Sequence, residues 1–310
     1  MTTPPDAPDL AAATLSLAVR IHASLNAPVD PAVRAYATQL GEAAGALAVL
    51  FYGSNLRTGS LEGVLDFYVL LPGPVETGLW PRVSYHEREH DGLTVRAKVA
   101  TMTLATFAAA ACGDLLDTTI WARFVQPSAL VWSRGPAHDG DVARAVAEAA
   151  TTAALFAAAL GPSAATEEEF WLGLFRATYD VEFRLEKPGR ERDILAANAA
   201  HFAGLLRAGL AAGQIAVAVD GDRLRPLLPD GLRTTLRRAF ARRAQWGRFY
   251  NLIRLVRAST TFAGAARYAA WKIERHTGVP VVLTPWRERH PVLAAPGVLW
   301  RVWRARKSPR

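Results

Sequence analysis

Strand-type sequence is concentrated in the first part of this chain, and beyond about Ala137 it nearly vanishes in favour of helix. Two short apolar runs, Ala46–Tyr52 and Val64–Leu71, read as buried strands bounded by Gly53-Ser54, Gly63 and Pro72. Arg82–Glu89 and Leu93–Met102 flank the turn dipeptide Asp91-Gly92 and read as a hairpin. Helices are expected over Ala11–Leu25 and Pro31–Ala44, the second opened by Asp30-Pro31 as cap and first helical residue. Further on, Ala143–Leu160, Glu167–Glu186, Asp193–Ala212, Leu232–Val256 and Thr261–His276 read as helices, with short β pieces at Ile215–Val219 and Val279–Leu283. The expected class is α+β: a mixed-sheet domain over 1–135, a mainly helical domain over 136–285 and a basic amphipathic tail over 286–310. The first boundary, near Ser133–Asp139, rests on Gly/Pro content and the change of pattern.

A chain of 310 residues with 51% hydrophobic content can bury a sizeable core. Cys112 is the one cysteine, so a disulfide framework within the chain is excluded, a reducing compartment is expected, and the thiol is read as buried and structural. Met1–Leu25 lacks a basic n-region and carries Asp6 and Asp9, which speaks against a secretory signal or an Arg-rich presequence. The most apolar segment, Ala149–Gly161, is too short to span a bilayer, so a soluble or peripheral protein is expected.

The formal charge of +8 is unevenly placed. Between Arg233 and Arg257 stand eight arginines (233, 237, 238, 242, 243, 248, 254 and 257) and no acid. In the tail, Arg287, Arg289, Arg301, Arg304, Arg306, Lys307 and Arg310 interleave with Trp286, Trp300 and Trp303, opposed by Glu288. Arginine attracts anionic headgroups and indole settles at the headgroup boundary, so the pattern suits an interfacial membrane contact. Nucleic acid, or a solvated basic helix face, accounts for charge of the same kind.

Chemistry concentrates where Tyr52-Gly53-Ser54 closes one strand and Asp66 sits inside the next, with eleven residues between Ser54 and Asp66. That is the spacing of a nucleotidyltransferase core. Glycine permits close approach to a triphosphate, and the following N–H groups and serine hydroxyl hold phosphate oxygens. A carboxylate on the neighbouring strand holds Mg²⁺ against the α-phosphorus. Asp66 stands between Leu65 and Phe67, where a lone carboxylate is costly unless ligated or hydrogen-bonded. Taken singly, Gly53-Ser54 equally fits an ordinary turn, and Asp66 a cap or an ion-pair partner. The second acidic position usual on such strands is Tyr68 here, on the same face by alternation. Remaining metal ligands must then come from elsewhere in the chain, from substrate phosphates or from water.

Several stretches resemble the mitochondrial-type (translocator-maintenance) CDP-diacylglycerol synthases, a family of phosphatidate cytidylyltransferases with bacterial relatives. Tyr52-Gly53-Ser54 and Asp66-Phe67 match that family's first two motifs. Gly92-Leu-Thr-Val95-Arg96-Ala-Lys98-Val99 resembles its Gly-x-x-Val-Lys-Tyr-Gly-Val strand, with Arg96 for the lysine or Lys98 one step away. Trp121-Ala-Arg123-Phe-Val-Gln126-Pro127 resembles Ala-Gly-Arg-Leu-x-Lys-Pro, and Thr178-Tyr179-Asp180-Val181-Glu182-Phe183-Arg184 resembles Ser-Tyr-x-Gly-Asp-x-Arg. Trp271-Lys-Ile-Glu-Arg-His276 and Pro285-Trp-Arg-Glu-Arg-His-Pro291 look like bacterial members.

The resemblance implies a nucleotidyltransferase-fold mixed sheet followed by a helical domain, with CTP and Mg²⁺ between them. It implies attack of a phosphatidate oxygen on the α-phosphorus of CTP, giving CDP-diacylglycerol and pyrophosphate. Asp66 would hold the metal, and Tyr52, Gly53, Ser54, Arg96, Arg123 and Arg184 would bind the nucleotide. Lys98 and Glu182 join Asp66 as candidate catalytic residues, Glu182 as a further metal ligand. Trp300, Arg301, Trp303 and Arg304 would touch an anionic membrane, placing the protein peripherally on the inner face of the cell membrane. A homodimer is compatible with this, and nucleic acid is not the expected partner. The rivals are the same core acting on an RNA end, a protein or a small alcohol, and a non-catalytic basic module on RNA or membrane.

His86-Glu87-Arg88-Glu89-His90 satisfies H-E-x-x-H, but that zinc pattern requires a helix, and here it reads as a hairpin arm. His201, His276 and His290 are expected to pack rather than ligate.

Overall fold

The computed structural model describes residues 10–90, 92–182, 189–261, 265–277, 279–289 and 291–307. Two helices open it, α1 (Leu10–Leu25) and α2 (Pro31–Ala44). The Asp30 side chain accepts from Ala32 N at 2.8 Å and Pro31 takes the first turn, as the sequence predicts. The sheet region follows: β1 (Ala48–Tyr52), α3 (Ser54–Thr58), β2 (Val64–Leu71), β3 (Arg82–His90), β4 (Leu93–Thr103), α4 (Leu104–Ala111), α5 (Thr119–Phe124) and β5 (Ser128–Ser133). The later part holds α6 (Pro136–Leu160), β6 (Ala165–Thr166), α7 (Glu167–Glu182), α8 (Arg190–Ala197), α9 (Ala199–Phe202), α10 (Leu205–Ala212), β7 (Val217–Asp220) and β8 (Arg223–Pro226). It closes with α11 (Asp230–Thr261), α12 (Ala265–Thr277), α13 (Pro285–Arg289) and α14 (Pro291–Lys307).

The fold is α+β, with a five-stranded mixed sheet in the order β3-β4-β2-β1-β5 and a small second sheet β6-β8-β7. β2 runs parallel to β4 and antiparallel to β1, so the C-terminal end of β1 and the N-terminal ends of β2 and β4 meet at one end of the sheet. Period-two alternation divides the side chains between two faces. Phe51, Phe67, Val69 and Val99 pack with Val33, Tyr36 and Ala37 of α2, where burial pushes the Tyr36 phenol up to about 12. On this side Gly41 of α2 lies so close to Trp132 that an added Cβ would meet the ring at 2.4 Å. Leu50, Tyr68, Leu70, Ala100 and Met102 face the other way, in one cluster continuous with Trp121, Phe156, Phe175, Leu210 and Phe240 of the later helices.

α6 lies at the centre of that cluster. It is long and apolar enough to cross a bilayer, and 67% of its apolar window is buried inside the protein. The helix expected over Asp193–Ala212 is divided into three, turning at Asn198 and at Gly204 with φ +76°. Glu167 of α7 accepts from Gly204 N and Leu206 N at 2.8 and 2.7 Å, capping α10 from outside its own segment. The β piece expected at Ile215–Val219 appears as β7, paired with β8, whereas Val279–Leu283 forms no strand. α4, α5 and β5 were not anticipated by periodicity, each being a short element inside a connection.

The structure corrects two further expectations. Cys112 is exposed, because it ends α4 as its C-cap; desolvation, then Glu148 and Asp114, hold the thiol pKa up, so it remains unactivated. The arginine run of α11 is not one solvated surface. Arg233 and Arg237 donate to Ala158 O and Ala159 O at 3.0 and 2.7 Å, satisfying the last carbonyls of α6. Arg243 is buried at 6% exposure, lies over the Phe156 ring at 5.2 Å and donates to Gly113 O, Leu115 O and Ala239 O. Arg238 and Arg242 are exposed. Arg243→Ala orphans buried carbonyls and is expected to cost about 2–3 kcal/mol. Arg242→Ala, on the same helix, is expected to stay within about 0.5 kcal/mol of wild type. Equal urea midpoints for the two variants would contradict this division of the basic run.

Candidate functional site

The strand register assembles the site. Tyr52 of β1 stands opposite Asp66 of β2, which stands opposite Lys98 of β4. Ser128 and Tyr85 extend the row outward on β5 and β3. Directly opposed residues share a face, here the face turned toward the later helices.

At the end of β1 the chain turns sharply through Gly53, whose φ of +93° and ψ of −163° belong to a region open essentially to glycine alone. A Cβ placed there would lie 3.4 Å from Asp66 Oδ2, so the bend abuts the carboxyl group. Gly53 and Ser54 are exposed, and Ser54 Oγ is 3.4 Å from Asn55 Oδ1. Asn55, absent from the sequence-derived candidates, is buried and donates to Ser60 O and Glu62 O at 2.7 and 2.8 Å. It staples the bend to the loop that leads into β2. Its signal was an amide following Gly-Ser, too common to single out.

Tyr68 occupies the place of a second acid and has a different task. Its hydroxyl accepts from Arg123 Nη1 at 2.6 Å, and the guanidinium lies 5.1 Å from the Tyr52 ring centroid and 5.7 Å from that of Tyr68. Phe124 packs edge-on against Tyr68 at 5.1 Å and fixes this corner. The register and this hydrogen bond bring Tyr52, Gly53, Asp66, Lys98 and Arg123 together. Asp66 keeps partial solvent access yet is walled by protein on most sides. Desolvation raises its pKa, and the attraction of Lys98 and Arg123 only partly counters it.

Arg96 lies on the same face, two residues before Lys98. Its Nε is 3.4 Å from Glu87 Oε1, and its guanidinium lies 5.5 Å from the Trp271 ring centroid. Trp271 comes from α12, which also brings Arg275 over the same ring at 5.2 Å. Neither α12 residue was among the site candidates; their i, i+4 spacing on a helix was the available signal.

Other candidates lie apart from this group or outside the described residues. Glu182 ends α7, with its side chain outside the description, and Arg184 and His290 fall wholly outside it, as do the side chains of His276 and Trp303. Trp300 is 56% exposed with Arg304 stacked on it at 5.3 Å, and Arg301 is exposed. His86–His90 forms the end of β3, where strand spacing separates the two histidines. His201 packs on Phe202, makes a hydrogen bond with Val125 O at 2.8 Å, and has its pKa lowered by burial.

A cavity of about 450 Å³ opens between the 76–80 loop, residues 114–119, Val181 and Gly247, and its lining does not include Asp66. Glu76 and Asp117 on its wall are already engaged, accepting from Thr103 N and Thr119 N at 3.0 and 2.7 Å. The Asp66 row is therefore the stronger chemical centre. Among the described residues no group of three or more His, Cys, Asp or Glu is arranged to hold a metal. No protein-family model matches this chain, and no curated protein matches it significantly.

Asp66 gives a signed stability prediction. Its folded pKa is raised, so the ionised form opposes folding: full stability is present below the ordinary carboxylate value of 3.8 and is lost as pH rises through the raised folded value. Asp66→Asn is thus expected to melt above wild type at pH 7 in the absence of ligand, with the gap closing toward pH 3.5. A variant that melts lower at pH 7 would instead make Asp66 a structural ion-pair partner.

Proposed function

We propose that this chain is a Mg²⁺-dependent nucleotidyltransferase and, more narrowly, a phosphatidate cytidylyltransferase that works at a membrane surface. The observation carrying the reading is the contact between the Gly53 bend and the Asp66 carboxyl group, with Lys98 in register beside it and Arg123 drawn toward it. A mostly buried carboxyl group whose pKa is raised by desolvation, next to a bend open to phosphate, is an arrangement for a cationic ligand and its anionic partner.

The donor set fits magnesium held jointly with a nucleotide. Mg²⁺ is bound through one or two carboxylates, phosphate oxygens and water, and the part of the Asp66 desolvation that Lys98 and Arg123 leave uncountered is what such an ion relieves. When bound, the ion would neutralise charge on the α-phosphate. The protein's own groups do the remainder. Gly53 and Ser54 offer backbone N–H groups to the leaving phosphates at a bend that lies beside Asp66. Arg123, fixed by Tyr68, and Lys98 offset the negative charge that spreads over the transferring group. A phosphate oxygen of the acceptor forms a bond to the α-phosphorus, the bond to the bridging oxygen breaks, and its electron pair leaves with pyrophosphate. The acceptor is already ionised, so no base is needed.

Cytosine and phosphatidate are carried by the family resemblance, and the membrane by the C-terminal arm. There Val282, Trp286, Leu293 and Trp300 are 70%, 55%, 69% and 56% exposed beside Arg301 and Arg304.

Purified protein given CTP, phosphatidate in detergent and Mg²⁺ is expected to form CDP-diacylglycerol and pyrophosphate, and Asp66→Asn to lower kcat by about 10²–10³-fold. Strong, saturable RNA binding untouched by Asp66→Asn, with no nucleotide consumed, would sink the enzymatic reading in favour of a binding module. Removal of residues after Pro291 is expected to weaken sedimentation with anionic liposomes. Undiminished sedimentation would remove the tail from the membrane contact.

A further inference from the structure

The stack of Arg96, Trp271 and Arg275 takes no part in the steps above, and its position in the sheet gives it one. β2 lies between β1 and β4, so Asp66 has the Gly53 bend on one flank and the β4 cations on the other. Arg96 is opposite Val64, one pleat from the Asp66–Lys98 pair and on the same face as Lys98. Arg275 reaches the same level from above, its Nη1 lying 3.2 Å from where a Cβ on Gly63 would be. Two guanidinium groups from different elements therefore converge on one indole at the end of the sheet where the bend leaves β1.

In-line displacement puts the attacking and leaving oxygens on opposite sides of the phosphorus. If the bend takes the leaving phosphates, the nucleophile comes from the β4 side, which is the side of this stack. We propose that Arg96 and Arg275, held on Trp271, form the acceptor subsite and recognise the phosphate monoester of a lipid. The inference rests on the nucleotidyltransferase reading. A monoester carries nearly two negative charges, which suits two planar forks, whereas a diester headgroup carries one. Arg96 is only partly satisfied: its Nε has no aligned acceptor among the described residues and faces Glu87 at 3.4 Å, while Nη1 donates to Thr94 O at 3.1 Å. Both partners of that ion pair are about 30% exposed, at 27% and 31%, so the pair is weak and yields to a dianion. Lipid, rather than a soluble phosphate, follows from continuity: α12 contacts both β3 and α14, and Arg267 of α12 pairs with Glu288 of α13 at 2.7 Å. The subsite is thereby tied to the arm whose Trp286, Leu293 and Trp300 are exposed.

The test is steady-state kinetics of the full chain in mixed micelles, varying phosphatidate and CTP separately. Arg275→Ala is expected to raise the KM for phosphatidate about tenfold and leave that for CTP within about twofold. Glu87→Gln is expected to lower the phosphatidate KM by about twofold, because it removes the anion competing for Arg96. A gain of this kind cannot come from misfolding. Glycerol 3-phosphate should compete only at far higher concentration, and its use as an acceptor as efficiently as phosphatidate would overturn the lipid assignment. Equal rises in both KM values for Arg275→Ala, or no change in either, would overturn the subsite. Flotation with phosphatidylcholine vesicles containing phosphatidate or phosphatidylglycerol separates the two hypotheses. Wild type should prefer phosphatidate and Arg275→Ala should lose the preference, even if no acceptor is ever turned over. Wild type without that preference would sink the subsite independently of catalysis.

Discussion

A carboxylate pressed against a glycine bend is the constraint around which this fold is arranged. Asp66 needs neighbours that tolerate its charge, and the sheet supplies them by register rather than by sequence proximity: Lys98 is opposite on β4, and Arg123 arrives from α5. Gly53 must be glycine for its backbone angles, and a Cβ there would sit in van der Waals contact with Asp66 Oδ2. Asn55 then fixes the loop that brings β2 back. Remove Lys98 or Arg123 and the charge loses part of the compensation that lets it stand among Leu65, Phe67 and Tyr68.

Much of this was legible in the sequence. Strand runs with alternating faces placed Asp66 and Tyr68 together, and the hairpin around Gly92 set β4 beside β3. Arg123 was visible only as a motif residue. Its role depends on Tyr68 reaching it across 55 positions of chain, which no local pattern encodes. β5 escaped notice because Ser128–Ser133 is a short run between Pro127 and what read as a domain boundary, yet it pairs with the whole of β1. Long-range pairing decides such elements, and propensity does not.

The arginines of α11 teach the opposite lesson. A run of like charge reads as solvated surface, but guanidinium groups carry long apolar stems and five donors, so they can also finish a neighbouring helix. Arg233 and Arg237 close the carbonyl end of α6, and Arg243 ties down the 113–115 turn. Counting charges from sequence overstates what such a helix offers to a membrane or a nucleic acid. The tail is different in kind, because its exposed tryptophans and arginines stand on the same short elements.

The cluster that joins the sheet to the later helices limits how the molecule can move. Tyr68, Phe107 and Phe124 form one set of ring contacts against the sheet, Trp121, Phe156 and Phe240 form a second through α6 and α11, and both sets belong to one buried cluster. Prising the halves apart would wet all of them, at about 25 cal/mol for each Å² of apolar surface exposed. A jaw-like opening is thereby closed to this protein, and traffic to the recess has to pass around its rim, where α12 lies across the sheet end like a latch.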